Sequence, residues 1–191
     1  MGSWGYNVEM EAYSGGLAGN DLVGYRIEIE PRYFISHELN LYVGLELERT
    51  PDWLVWQQDT LFGSFDRHQT NVSAGFSWIM TDRHELRLKL QAIGLDAQLR
   101  QAYRVDAAGN SIPTDEPVGD FSVSNLGLQI RYRYELAPLS YLYVVYGRGG
   151  FDQEETAPGE SIKSSDRLLR DSFSLRDDEQ LLIKLSYRFE T

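Results

Sequence analysis

The sequence of 191 residues contains no cysteine. Disulfides, cysteine-ligated zinc, iron–sulfur clusters and thiol nucleophiles are therefore excluded. Proline is scarce at 6 residues and histidine at 3, so neither a proline-rich linker nor a histidine-rich metal tract is present. No apolar run approaches the roughly 18 residues that a transmembrane helix requires. Positive charge is also short. Lys and Arg number 18 against 29 Asp and Glu, for a net charge of −11, which argues against a nucleic-acid partner. The mean hydropathy of −0.40 is that of a soluble chain. A transmembrane β-barrel reaches the same value, because its lipid-facing and lumen-facing residues alternate and average out. Aromatic residues are abundant at 13%, a richness that an interfacial girdle would use.

The N-terminal Met1-Gly2-Ser3-Trp4-Gly5-Tyr6 has neither a basic n-region nor an apolar h-region, so no signal peptide is read in it. The chain then reads either as cytoplasmic, or as a mature form or piece of something longer. Its length suits one domain over residues 1–191.

The dominant pattern has a period of two. Tyr25, Ile27, Ile29 and Tyr33 alternate with Arg26, Glu28, Glu30 and Arg32. Leu39, Leu41, Val43, Leu45 and Leu47 form one face of the next segment. Similar alternation recurs over Val72–Met80, Leu86–Leu90, Leu126–Tyr134 and Leu181–Phe189. Successive strand side chains point to opposite faces, so each strand carries one apolar and one polar face. Strands are predicted at about 4–13, 22–34, 38–48, 60–80, 84–104, 119–136, 139–149 and 180–190. Trp53–Gln57 is read as part of a hairpin arm rising from its neighbours. Short turns are expected at Ile35–Glu38, Thr81–His84 and Leu136–Pro138. Long loops are expected at Ser14–Asp21, Arg49–Asp59, Val105–Gly119 and Gly149–Glu179. Ser36-His37-Glu38-Leu39 and Arg83-His84-Glu85-Leu86 are near-copies 47 residues apart, which reads as a hairpin repeat.

Two architectures compete: a soluble barrel with apolar residues inside, and a membrane barrel with them outside. Three features favour the membrane. Tyr and Trp sit at the ends of apolar faces, as in Trp4, Tyr6, Tyr25, Tyr33, Trp78, Tyr132, Tyr134 and Tyr187. The polar face is ionic, with Glu28, Glu30, Glu46, Glu48, Arg87, Lys89, Arg131, Arg133, Lys184 and Arg188. The chain nearly ends on Tyr187-Arg188-Phe189, an alternating aromatic terminus of the kind read by the outer-membrane barrel-assembly machinery, although Glu190 and Thr191 follow. The expected fold is thus an all-β, antiparallel up-and-down transmembrane barrel of about eight strands.

Three segments carry a family resemblance. They are Thr60-Leu61-Phe62-Gly63-Ser64-Phe65-Asp66-Arg67; Arg83 to Gly94 with Arg100-Gln101-Ala102-Tyr103-Arg104; and Asn125 to Glu135 continuing to Pro138-Leu139-Ser140. They resemble the C-terminal region of Gram-negative outer-membrane proteins that carry an N-terminal module similar to family-9 carbohydrate-binding domains. In that family the module precedes a domain of unknown function that looks like a large β-barrel. The resemblance implies an outer-membrane location, a lipid environment, and a glycan link through an upstream module that this chain lacks. It also implies an upstream export signal. The chain then reads as the last eight strands of a longer barrel, as a truncated product, or as a small barrel closing alone. The resemblance brings no catalytic residue with it.

No catalytic, cofactor-binding or metal residue is assigned, and no cofactor is expected. His37 and His84 occupy equivalent turn positions and His68 stands apart; no H-x-x-x-H or H-E-x-x-H spacing exists. The acidic clusters Asp152–Glu155 and Asp177–Glu179 lack an EF-hand pattern and read as solvated loop charge, as does Asp106–Asn110. The carboxylate pairs Glu28/Glu30 and Glu46/Glu48 share one strand face by their spacing and read as structural ion pairs rather than glycosidase machinery. No G-x-S-x-G is present, and the triplet Asn71-Val72-Ser73 lies in a strand. Ser164–Leu175 suggests a short amphipathic helix on the barrel rim. The expected function is a non-catalytic outer-membrane barrel segment acting as anchor or channel wall. The alternatives are a soluble β-barrel ligand-binding module and part of a carbohydrate-active hydrolase.

Overall fold

The computed structural model describes residues 2–15, 22–157 and 160–189. Long antiparallel strands run β1 (Ser3–Gly15), β2 (Leu22–Phe34), β3 (Leu39–Gln58), β4 (Leu61–Thr81), β5 (His84–Val105), β6 (Ser111–Thr114), β7 (Asp120–Ala137), β8 (Ser140–Thr156) and β9 (Asp178–Ser186), with helix α1 (Ser165–Ser172) between the last two. They form one sheet in the order β1-β2-β3-β4-β5-β7-β8-β9, with β6 paired to β5. The up-and-down order follows from tight turns at one end. Ser36 Oγ accepts the Glu38 and Leu39 amides at 3.1 and 3.2 Å. Two-residue turns join Thr81 to His84 and Ala137 to Ser140, the latter with Leu139 at φ 61°. Among the described residues no helix is long and apolar enough to cross a membrane.

The sheet is open: β1 and β9 are its two edges and do not pair with each other. This departs from the closed barrel expected from the sequence. Alternation fixes which face a side chain takes, but it carries no information on how two distant edges meet. Two expected loops are partly strand. The hairpin arm read at Trp53–Gln57 is present: β3 runs on through Arg49–Gln58, paired to Leu61–Phe65 of β4, by absorbing Pro51-Asp52 in a bulge between Thr50 and Trp53, with Asp52 at φ 54°. β8 continues to Thr156. The loop expected over Ser14–Asp21 lies mostly on residues outside those described, as do Glu190 and Thr191.

The register assigns the faces. Leu45, Val72, Ala92 and Leu126 lie in neighbouring positions on one face, as do Leu41, Phe76, Leu88 and Ile130. The opposite face carries Glu46, Asn71, Lys89, Gln129 and Arg131. A cleft of about 550 Å³ crosses this polar face from Tyr42 through Ser73, Gln91 and Gly127 to Gln180, so the polar face is the concave one. Apolar side chains on the convex face are well exposed, from Trp4, Val8 and Met10 on β1 to Leu181, Ile183 and Leu185 on β9.

Towards the open-loop end the faces exchange character. The buried core of Leu61, Phe65, Leu95, Ala97 and Ala102, with Trp53, Leu99, Phe121 and Val123 packed against it, sits on the concave side above Gln69. Phe65 is fully buried, edge-on to Phe121 at 5.1 Å between ring centres. The convex face at the same height holds Arg49, Asp66, His68, Asp96 and Ser122. β3, β4 and β5 have 20, 21 and 22 residues, about twice the 9–11 that cross a bilayer. Their lower halves are patterned one way and their upper halves the other.

Candidate functional site: the charged concave face and the helix-clamped row

On the concave face, ion pairs within and between strands form a ladder. Arg26 reaches Glu46 at 2.6 Å and Glu28 at 3.1 Å, Arg32 meets Glu30 at 2.9 Å, and Arg67 meets Glu48 at 2.6 Å. The carboxylate pairs read from the sequence as structural are thus each matched to an arginine on their own or an adjacent strand. Glu85 is buried between Arg87 and Arg133, with Arg133 at 3.0 Å. Arg32 and Arg133 also lie over the Tyr42 and Tyr141 rings, at 5.2 and 5.4 Å.

The ladder is lopsided. β1 to β3 supply Glu9, Glu11, Glu28, Glu30, Glu46 and Glu48 against Arg26 and Arg32. β5 to β9 supply Arg87, Lys89, Arg131, Arg133 and Lys184 against Glu85, Glu135, Glu155 and Asp178. The concave face is therefore acidic towards the β1 edge and close to balanced towards the β9 edge, where Lys184 shares its strand with Asp178.

On the convex face, α1 lies across β4, β5 and β7 at the top of the apolar region. The approach is close because position 94 is glycine: a methyl group there would overlap the Ser165 carbonyl oxygen and the Leu169 nitrogen. Thr70 and Ser165 hydroxyls are 3.0 Å apart, Ser124 Oγ donates to the Leu168 carbonyl at 3.1 Å, and Leu168 is buried. Asp96 is 4% exposed; its Oδ1 accepts the Ser165 amide at 2.8 Å and its Oδ2 lies 3.3 Å from His68 Nδ1. Burial holds the Asp96 carboxyl above the ordinary range, against the opposing pull of His68. Asp66, hydrogen-bonded by Arg49 at 2.6 Å, is held below it.

The helix expected at 164–175 is thus present over 165–172, on the outer face rather than on the rim. The row it clamps was not singled out from the sequence. Its signal was the loss of apolar alternation where Gly94 and Asp96 follow Leu86, Leu88, Leu90 and Ala92. His84 Nδ1 lies 2.6 Å from the Tyr132 hydroxyl, with its ring stacked on Tyr134, while His37 stays in its turn. Asp106 Oδ1 accepts the Ala108 and Asn110 amides, both at 2.8 Å, which closes the turn before β6. Among the described residues no group of three or more His, Asp or Glu is placed to hold a metal ion.

No curated protein matches the chain, and no solved structure does. A family model described as a domain of unknown function, DUF5916, matches residues 4–189, so the chain belongs to that family.

Proposed function

We propose that this domain is an outer-membrane β-barrel segment of a Gram-negative cell, non-catalytic, acting as a membrane anchor or channel wall. The observation that carries the reading is the course of the apolar belt across the sheet. One row of hydrogen-bonded partners runs Trp4, Tyr33, Leu41, Phe76, Leu88, Ile130, Tyr146, Leu181. On β1 this row enters the convex belt at its lower end, and the belt continues upwards through Val8 and Met10 to Ala12. On β9 the same row leaves the belt at its upper end, with Ile183 and Leu185 below Leu181.

The belt therefore slips by about eight residues across seven strand-to-strand steps, roughly 26 Å along the strands for about 34 Å across them. That slope, near 40°, matches the tilt of about 35–45° that outer-membrane strands hold against the bilayer. A belt level with a membrane plane has to cut the hydrogen-bond rows at the tilt angle. Aromatics mark its lower margin along the same incline, at Trp4, Tyr33, Trp78, Tyr134 and Tyr187. The Trp4 and Tyr33 rings pack at 4.6 Å. Short turns lie on the side of this girdle, as periplasmic turns do.

The exchange of faces above the belt fits the same reading. Where the strands leave the lipid, their convex side turns polar and their concave side becomes a dry core, as for a sheet entering water. Folding into detergent micelles or lipid vesicles tests the proposal. Heat-modifiable gel migration and retention in the membrane after carbonate washing are expected. A monodisperse, fully folded protein in detergent-free buffer that ignores vesicles would refute it.

A further inference from the structure

We propose that the two free edges are each other's partner: β9 pairs antiparallel with β1 of the same chain, in a register that sets Lys184 opposite Glu9 or Glu11. The proposal rests on the membrane reading, because a row of unpaired backbone groups has no place in hydrocarbon. The direction is already right. Eight long strands alternate along the sheet, so β1 and β9 at its ends run antiparallel.

The register follows from the belt. Its upper margin is Ala12 on β1 and Leu181 on β9, and a belt that meets itself has to bring these two level. One further strand step adds about one residue to the slip of about eight, for a closing stagger of about 8–10. Side-chain parity then admits two registers. On the convex face Leu185 meets Val8 in one and Met10 in the other. On the concave face Lys184 meets Glu9 in the first and Glu11 in the second. Each sets Lys184 against a glutamate of the acidic β1 edge and keeps Val8, Met10, Leu181, Ile183 and Leu185 on the outer face.

The interior suits a narrow closure. On the concave face glycines sit beneath larger neighbours: the Tyr42 ring lies over Gly75, where a Cβ would come within 2.7 Å of it, and Gln180 lies over Gly147 at 3.3 Å. Eight strands enclose a space that side chains just fill. Closed in this way, the lumen is occupied by the Glu and Arg ladder, which makes the domain an anchor rather than an open pore.

The chain has no native cysteine, so paired cysteines report the register without background. The doubles Val8→Cys/Leu185→Cys and Met10→Cys/Leu185→Cys, with Trp4→Cys/Leu185→Cys as the out-of-register control, are folded into phosphatidylcholine vesicles and oxidised with copper phenanthroline. Directly opposed antiparallel residues lie within disulfide reach. The expected result is a monomeric disulfide in one of the first two doubles, read as a reducible gel shift, and none in the control. Disulfide-linked dimers would overturn the proposal in favour of a second copy. Absence of any cross-link in protein that has inserted would overturn it in favour of strands from elsewhere. Insertion is scored separately by carbonate washing. A chain that cross-links as a monomer but stays out of the vesicles keeps the closure and sinks the membrane reading.

Discussion

Asp96 accepts the backbone amide of Ser165 at 2.8 Å across 69 residues of sequence, tying the first residue of α1 to the middle of β5. The carboxylate is almost wholly buried and faces His68 at 3.3 Å, with Asp66 and Arg49 nearby on the same face. Its raised pKa means that the folded state favours the protonated form. A raised carboxyl contributes stability that is fully present below its unfolded value of about 3.8 and is lost as the pH rises through the folded value. Hydrogen exchange of the α1 amides is expected to slow as the pH is lowered through that window, after correction for intrinsic exchange rates. In Asp96→Asn, which keeps an acceptor for Ser165 and has no charge to bury, this dependence should flatten. Asp96→Ala should release the helix at every pH.

Gly94 sets how closely α1 lies on the sheet. Gly94→Val would drive a branched side chain into the Ser165 carbonyl and the Leu169 nitrogen. The expected outcome is an undocked helix on an intact sheet. Limited proteolysis should cut near Lys163–Arg176 many times faster than in the parent, while the far-ultraviolet β signal is unchanged.

Phe65 is fully buried against Phe121 and Trp53 in the concave core above the belt. Phe65→Ala should cost about 3–5 kcal/mol by lost transfer energy and cavity formation. Urea unfolding in vesicles is the measurement. Because this core lies outside the belt, membrane insertion should survive.

Val43 is 53% exposed on the convex face of β3, in the middle of the apolar belt. On a water-facing surface Val43→Arg would change stability by no more than about 0.5 kcal/mol. At the middle of a bilayer the cost is about 2–4 kcal/mol. Unfolding titrations in vesicles of Val43→Arg, beside Asn71→Arg on the concave face, separate the two cases. The reading expects the large penalty at Val43 alone.

Much of this fold was legible in the alternation. Ranges at 22–34, 60–80 and 84–104 come within a residue of β2, β4 and β5, because strands with one apolar and one ionic face leave no ambiguity of register. The same logic reads Glu28/Glu30 and Glu46/Glu48 as structural ion pairs, and Arg26 meets both Glu28 and Glu46. It failed where the faces exchange roles. β8 beyond Gly149 and β3 beyond Arg49 lose the apolar-out pattern, and Pro51-Asp52 reads as a loop although a bulge carries the strand past it. β6 is four polar or mixed residues around Pro113, too short to show a period. The C-terminal strand stops at Ser186 rather than 190, because β8 starts at Ser140 and offers only the Ser140 hydroxyl to the Arg188 amide, at 3.0 Å. The site row of Thr70, Gly94, Asp96 and Ser124 is assembled by a helix from far along the chain, which local periodicity cannot foresee.

The central claim is that the convex belt faces lipid, and it is tested most directly by site-directed spin labelling along residues 40–50 of the cysteine-free chain in vesicles. The account expects Leu41, Val43, Leu45 and Leu47 to show high oxygen and low nickel-chelate accessibility, with the order reversing at Arg49. Asn40, Tyr42 and Glu46 should not share the oxygen maximum. Nickel accessibility that is high and even along the odd positions would contradict it.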